Sequence, residues 1–188
     1  MYISQLQNGP PADSAFRTDR ETSCYAFLDE AGVKYQRLDH DRADTMEVCR
    51  EIDLRLDAVI CKNLVLCNRQ KTDFYLLLIP DDKVFKTKDL SAQIGSARLS
   101  FASAEDMESL LGVSPGSASV LALKNDHANR VRLLIDREVL ESESFGCHPC
   151  VNTSSLRFSV KDLTEKVIPA TGHKPTFVVL PRYTGEDA

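Results

Sequence analysis

Hydrophobic positions along this chain follow two different periods, which predicts both helices and strands. Short runs rich in Val, Ile and Leu, bounded by polar turn residues, are typical of strands. Apolar residues at three- and four-residue spacing behind a Ser or Asp are typical of capped helices. We predict strands over residues 33–38, 59–67, 74–79, 98–101, 119–123, 131–135, 145–148, 153–158 and 176–180, and helices over residues 22–31, 87–94 and after capping boxes at 44–47, 103–106 and 159–162.

The order of these elements predicts the fold class. Helices and strands alternate irregularly, and several strand pairs have short links, so we predict an α+β fold with a mixed, largely antiparallel sheet. The polar link 68–73 makes the runs 59–67 and 74–79 a hairpin. A chain of 188 residues suits one domain. We place a loose N-terminal segment at residues 1–18 and a single domain at residues 19–183.

Lys62 stands inside the apolar run 58–67 and is the most informative residue of the chain. On a strand it shares a face with Ile60, Leu64 and Leu66. An ammonium on an apolar face is costly unless an anionic or polar group meets it. Lys62 is therefore either an edge-strand lysine that discourages aggregation or part of a pocket for an anion or a polarised carbonyl. Asn63 points to the opposite face unless the strand twists or bulges.

Two further segments could carry chemistry. The loop 112–117, Gly-Val-Ser-Pro-Gly-Ser, has a tight, exposed backbone whose N–H groups can bind an anion or oxyanion. Equally, Gly112 suits a helix C-cap and Pro115-Gly116 suits a simple turn. His148 precedes a proline, which holds its backbone extended. It can orient a ligand, move a proton or serve as a structural histidine.

Composition narrows the class of protein. Hydrophobic residues make up 43% of the chain and charged residues 27%, as in ordinary soluble globules. A net charge of −5 argues against nonspecific coating of nucleic acid but permits contact with one end of an RNA. No apolar stretch reaches the roughly 20 residues of a membrane span, and the N-terminus does not resemble a signal peptide. We therefore expect a cytoplasmic protein that binds neither membrane nor DNA.

The six cysteines include one close pair, Cys147-His-Pro-Cys150. Redox dithiols and zinc half-sites use this spacing. A zinc site would need a second ligand pair, and the sequence has none. We expect no metal and no other cofactor, and we keep a thiol redox protein that uses Cys147 and Cys150 as one alternative.

The order and separation of these motifs resemble a known family. Lys62-Asn63-Leu64 in a strand, the loop 112–117, and His148-Pro-Cys-Val-Asn-Thr153 with a downstream Ser-x-x-Asp-Leu163 resemble the YbaK/prolyl-tRNA synthetase-associated editing domains. Among them, the chain is most similar to free-standing prolyl-tRNA deacylases that clear alanine from proline tRNA. The resemblance covers about residues 20–181. Cys147 is unusual for the family, and Cys150 stands where the family motif has an aliphatic residue. The segment 39–45 lacks prolines often seen there.

The resemblance implies a sheet curled into a barrel-like core with flanking helices. It also implies hydrolysis of the ester that joins a mistaken amino acid to the terminal adenosine of tRNA, without a cofactor. The expected partner is the acceptor end of tRNA(Pro), with prolyl-tRNA synthetase or an elongation factor as transient partners. We expect catalytic roles for Lys62, Asn63, Gly112, Val113, Ser114, Gly116 and His148, and substrate binding by Met46, Val48, Leu64, Pro115 and Ser117.

In this hypothesis Lys62 binds the phosphate or ribose end of the acceptor strand and helps to hold the ester, and backbone N–H groups of the loop hold the ester carbonyl oxygen. A water molecule attacks, and Asn63 and His148 order the substrate and the water. Other readings stay open: a deacylase for cysteine or another small residue on tRNA(Pro), and a noncatalytic module that senses an amino acid or aminoacyl-tRNA.

Overall fold

The computed structural model describes residues 2–42, 46–58 and 60–183, with the backbone only at Met46 and Glu47. The predicted α+β class is confirmed. The helices are α1 Asp19–Glu30, α2 Met46–Leu56, α3 Thr87–Ile94, α4 Ala104–Leu111, α5 Val160–Asp162 and α6 Ile168–Ala170, with 3-10 helices at Val120–Asn125 and Arg137–Glu141 and a π-helical turn at Leu163–Val167. The strands are β1 Gln7–Asn8, β2 Gln36–Asp39, β3 Lys62–Asn68, β4 Phe74–Ile79, β5 Leu99–Phe101, β6 Val131–Asp136, β7 Ser144–Cys147, β8 Ser154–Ser159 and β9 Thr176–Val178.

The strands form two separate sheets, so the expected barrel-like, curled sheet is wrong. One sheet has the order β1-β2-β8-β7 and is antiparallel. The other has the order β5-β3-β4-β6-β9, antiparallel at β5-β3-β4 and parallel at β4-β6-β9. A barrel needs every strand to be paired on both sides, whereas each of these sheets ends in two edge strands. A β-bridge between Ile60 and Gly146 joins the sheets.

The hairpin of β3 and β4 lies at the centre of the five-stranded sheet, as predicted, and Lys62 pairs with Ile79. Successive side chains of β4 point to opposite faces of the sheet and pack into two separate parts of the hydrophobic core. Leu76 and Leu78 pack between the two sheets. Leu77 and Ile79 pack on the opposite face, beneath α3. Because both faces of β4 are buried, its sequence is an uninterrupted apolar run.

One predicted strand, residues 119–123, is wrong. Val120–Asn125 is a 3-10 helix, and the Ser119 hydroxyl caps it by accepting a hydrogen bond from the Leu121 N–H. All of Val120 to Leu123 is buried. A short, continuously apolar run has no period that distinguishes a buried strand from a buried helical turn.

Local capping signals fare better. Ser103 and Asp106 form the predicted capping box of α4, and Gly95 and Gly112 end α3 and α4 in the left-handed conformation, at φ 64° and 65°. The predicted capping box at residues 44–47 falls partly on Asp44 and Thr45, outside the described residues.

The N-terminal segment is tied to the four-stranded sheet. β1 pairs with β2, and the Ser4 N–H donates to the Asp39 carbonyl at 2.8 Å. The division into residues 1–18 and 19–183 stays a prediction. In the part of the chain that is described, no helix has the length and apolar character needed to cross a membrane.

Candidate active site

A cavity of about 450 Å³ opens at the edge of β3. Its wall includes β3 from Lys62 to Val65, one face of α2, and His148. Residues 115, 116 and 118 also line it, whereas Ser117 is buried and does not. β5 pairs with β3 only over residues 66–68 in the described register, which leaves the first half of that edge facing the cavity. Side chains from both faces of a strand can reach a cavity at its edge. This is why Lys62 and Asn63, which alternate, both line it.

The Lys62 ammonium is held at the cavity by a backbone carbonyl. Its Nζ donates to the Lys83 carbonyl oxygen at 3.2 Å. That carbonyl is itself well anchored, because the buried Lys83 ammonium contacts Asp136 at 2.8 Å and Glu138 at 2.7 Å. An ammonium has three N–H donors. Lys62 therefore keeps donors for an anionic or carbonyl ligand.

Asn63 presents an unused acceptor. Its Nδ2 donates to the Cys61 carbonyl at 2.8 Å, while its buried Oδ1 has no hydrogen-bond partner within the described structure. Rotating the amide would place two oxygens against each other, so the hydrogen bond fixes which atom is free. A buried acceptor without a partner costs about 1–3 kcal/mol. A ligand that donates an N–H or O–H to Oδ1 would remove that cost.

The loop 112–117 divides into structural and cavity-lining residues. The Gly112 N–H caps α4 by donating to the Glu108 carbonyl, and Val113 is buried in the core. The Ser114 N–H donates to the Ser117 hydroxyl, and the Ser117 N–H donates to the Ser114 carbonyl. None of these four lines the cavity as described.

Pro115 and Gly116 do line the cavity, together with Ala118, which the sequence did not single out. Gly116 has φ 84°, a conformation that favours glycine. Its N–H makes no hydrogen bond to any described residue. Of the loop amides predicted to hold an oxyanion, Gly116 is therefore the one still available.

His148 lines the cavity. Its Nδ1 lies 2.9 Å from the Ser154 carbonyl, which can only accept, so Nδ1 carries the proton and Nε2 is an acceptor. Burial lowers the pKa of His148, and the nearby His40 ring adds to the effect. The buried His40 bonds Ser155, which lies 3.4 Å from Nδ1 of His148. At neutral pH His148 can accept a proton or orient water.

Two carboxylates that line the cavity, Asp53 and Asp81, were not predicted from the sequence. The pKa of Asp53 is raised to about 6, chiefly by burial. The hydrogen bond from the Ile60 N–H opposes this rise, and the charge of Asp81 contributes to it. Helical spacing contained a signal for Asp53, because residues 49, 52 and 53 share one helix face. Asp81 follows the end of β4, and no local pattern marks it.

The predicted substrate wall is placed in part. Leu64 lines the cavity, whereas Val48 does not line it in the structure as described, and the Met46 side chain falls outside the description. Cys49, Ile52 and Met107 form apolar wall instead. Neighbouring helix positions point about 100° apart, so a one-residue difference along α2 decides which side chain faces the cavity.

The cysteines show the features of structural thiols. Burial, followed by the charges of Asp81 and Asp53, raises the pKa of the cavity residue Cys61 to about 12, which disfavours a thiolate nucleophile. Cys147 and Cys150 are buried, and the Cys150 sulfur lies 3.4 Å from that of Cys24. These positions argue against an accessible redox dithiol at Cys147 and Cys150. No group of three potential metal-ligating side chains occurs among the described residues.

Comparison with known proteins identifies the family. Residues 40–166 match the family model of the aminoacyl-tRNA editing domain. The chain belongs to this family. The matched segment contains Lys62, Asn63, Gly116 and His148, so it includes the cavity residues of interest. The family predicted from the sequence motifs is confirmed, and the chain falls in a class of aminoacyl-tRNA hydrolases.

Individual relatives agree with the editing-domain assignment. The prolyl-tRNA editing protein ProX of Acetoanaerobium sticklandii is 30% identical over 155 residues, covering 82% of this chain and 94% of the relative. The prolyl-tRNA synthetase associated domain-containing protein 1 of Mus musculus is 28% identical, covering 79% and 89% respectively. A solved structure of a proposed trans-editing enzyme for prolyl-tRNA synthetase covers 87% of this chain and 99% of its own, with a TM-score of 0.64 at 15% identity, and supports the fold.

Proposed function

We propose that this protein is a trans-editing deacylase that hydrolyses the ester of alanine mischarged onto tRNA(Pro). The observation that carries the proposal is that one cavity is lined by residues from three separate segments of the chain: Lys62 and Asn63, Gly116, and His148. Membership of the aminoacyl-tRNA editing family supports the reaction class. The name of the ProX relative supports proline tRNA as the carrier.

The chemistry requires positioning more than a protein nucleophile. An aminoacyl ester is already activated, so an oriented water and a stabilised oxyanion suffice. In our proposal the Gly116 N–H donates to the carbonyl oxygen. Lys62 binds the phosphate or ribose end of the acceptor strand and helps to hold the ester, where its ammonium stabilises the charge that develops during hydrolysis. Nε2 of the neutral His148 accepts a proton from water. Water adds to the carbonyl carbon, the bond from that carbon to the ribose oxygen breaks, and His148 returns its proton to the departing oxygen. This releases alanine and the terminal hydroxyl of the tRNA.

The remaining polar groups suit the rest of an aminoacyl ester. Asn63 Oδ1, buried and unpartnered, would accept a hydrogen bond from the α-ammonium or a ribose hydroxyl. Asp53 and Asp81 place negative charge in the same wall, which favours an ammonium over a neutral group.

Selectivity against proline would be steric, because attraction gives only about 1–3 kcal/mol per methylene. The candidate walls are Leu64, Ile52 and Met107, with Met46 and Val48 as predictions from the sequence. A cavity of about 450 Å³ exceeds what an alanine side chain needs, which keeps cysteine or another small residue as the alternative substrate. Replacing Leu64 with Ala should then admit Pro-tRNA(Pro).

The decisive experiment is a deacylation panel with tRNA(Pro) charged with Ala, Cys, Ser or Pro. We expect Ala-tRNA(Pro) to be hydrolysed fastest and Pro-tRNA(Pro) to be spared. Faster hydrolysis of Cys-tRNA(Pro) would favour the alternative substrate. If the protein binds aminoacyl-tRNA but hydrolyses none of the four charged tRNAs, the proposed deacylase activity is wrong and a noncatalytic sensing module is favoured.

A further inference from the structure

A second groove adjoins the cavity, on the face of the five-stranded sheet that α3 covers. Phe85, Phe101, Lys88 and Arg98 contribute to its lining, and we call these four residues the aromatic–basic groove. Phe101 lines both this groove and the catalytic cavity. Phe101 therefore forms part of the wall of both spaces, which lie side by side at this ring.

The strand register gives the distance between the groove and Lys62. Phe101 of β5 pairs with Leu66 of β3, and paired residues project to the same face. Lys62 lies four residues further along β3 on that face, which corresponds to about 13 Å. A short single strand can therefore extend from the groove to the cavity.

The aromatic residues of the groove form an accessible platform. Phe101 is 61% exposed, although burial of a large aromatic ring is favourable. Its ring meets that of Phe85 edge to face, with centroids 6.3 Å apart and planes at 73°. Phe85 is partly buried against the core and anchors the pair. Exposed aromatic rings are the surfaces on which bases of single strands stack.

Two of the positive charges beside these rings, on Lys88 and Arg98, have no ion-pair partner among the described residues. Lys88 and Arg98 are exposed, and their side chains make no ion pair or hydrogen bond with any described residue. Lys86, also in the lining, lies over the Tyr183 ring at 3.8 Å. The acidic neighbour Asp89 accepts a hydrogen bond from the Tyr183 hydroxyl. Although the chain has a net charge of −5, the cations of Lys88 and Arg98 are available here, and they complement the negative charge of phosphate.

We propose that the aromatic–basic groove binds the single-stranded 3′ end of the tRNA, with a base stacked on Phe101 and phosphates at Lys88 and Arg98. This inference rests on the proposed function, since it names the surface that delivers the ester to Lys62. Stacking on Phe101 tolerates any base, so the groove supplies affinity and alignment and leaves amino-acid selection to the cavity.

The test compares two substrates, Ala-tRNA(Pro) and alanyl-adenosine, which keeps the ester but lacks the strand. We expect Phe101→Ala and Arg98→Glu each to raise KM for Ala-tRNA(Pro) by about 10-fold, in the range reported for base stacking and phosphate contacts. For Arg98→Glu, at a residue that does not line the cavity as described, kcat for the tRNA and kcat/KM for alanyl-adenosine should stay unchanged. Phe101→Ala, at a ring that also lines the cavity, should lower kcat/KM for the tRNA more than kcat/KM for alanyl-adenosine. Phe16→Ala, at a ring 95% exposed elsewhere, and Lys34→Glu, at an exposed lysine of the loop before β2, are the matched controls and should behave as wild type.

Three outcomes would overturn the proposal. One is an unchanged KM for the tRNA in both groove variants, and another is an equal loss on both substrates, which would indicate a damaged cavity. A third is weaker binding of prolyl-tRNA synthetase with unchanged tRNA affinity, which would assign the groove to a protein. Binding of uncharged tRNA(Pro), measured for wild type and variants, tests the groove even if no hydrolysis is found, so its failure is separable from failure of the proposed function.

Discussion

Lys62 and Lys83 are joined by one hydrogen bond yet occupy opposite environments. Lys83 is 1% exposed and contacts two carboxylates, Asp136 and Glu138. Lys62 is only partly buried, and its ammonium donates a hydrogen bond to the Lys83 carbonyl. A buried ammonium with two carboxylate partners has its charge satisfied inside the fold. An ammonium at a cavity with donors to spare can meet an external ligand. Partners, more than residue type, separate a structural lysine from a functional one.

Replacing Lys83 should have the largest effect on stability. Lys83→Ala leaves Asp136, which is fully buried, without its cation, and breaking a buried pair costs about 3–5 kcal/mol. Denaturant unfolding measures the loss. Any fall in deacylation should follow the folded fraction. A stability within about 1 kcal/mol of wild type would contradict the structural assignment of Lys83.

Lys62→Ala should give the reverse pattern. Loss of a group that holds charge in the transition state typically costs two to three orders of magnitude in rate, while the fold loses only one hydrogen bond to a carbonyl. We expect deacylation of Ala-tRNA(Pro) to fall at least 100-fold with little change in unfolding free energy. Lys34→Ala is the control for a general loss of positive charge. Hydrolysis by Lys62→Ala at the wild-type rate would remove Lys62 from the mechanism.

Asp53 extends the comparison of Lys62 and Lys83 to an acidic group. It lies in the cavity wall, and its pKa is raised to about 6. If Asp53 binds the α-ammonium, kcat/KM should rise with pH through about 6 as Asp53 ionises. It should fall again near the α-amino pKa of about 7.7–8.0. Asp53→Asn should remove the rise near pH 6 and lower kcat/KM about 10-fold at pH 7. A variant with the wild-type pH profile would show that Asp53 does not bind the substrate.

The same substitution should stabilise the fold at neutral pH. When folding raises the pKa of a carboxyl, the ionised carboxyl carries a free-energy penalty in the folded state. The penalty is absent below about pH 4, grows towards pH 6 and then stays constant. Because Asp53 is only partly buried, we discount the shift and expect Asp53→Asn to gain roughly 1–2 kcal/mol at pH 7 and little at pH 4. Equal gains at both pH values would indicate another cause.

Sequence and structure agreed where local rules apply. A few adjacent residues determine each of three confirmed features: the capping box at Ser103 and Asp106, the C-cap at Gly112 and the β3–β4 hairpin. The strand predicted at residues 119–123 failed because an apolar run without period fits a buried helical turn equally well. The barrel-like sheet failed because sheet closure depends on which distant strands pair.

The sequence by itself determined the family, the positions of most helices and strands, and the importance of Lys62, since motifs, caps and periodicity are local. Only the tertiary structure decided which residues form the cavity. β5 stops pairing at Leu66, so both Lys62 and Asn63 face an open strand edge. The 112–117 loop uses its other amides internally and leaves Gly116 free, and α2 and β4 bring in Asp53 and Asp81. That these groups meet in one cavity depends on contacts between segments far apart in the chain, which no local pattern encodes.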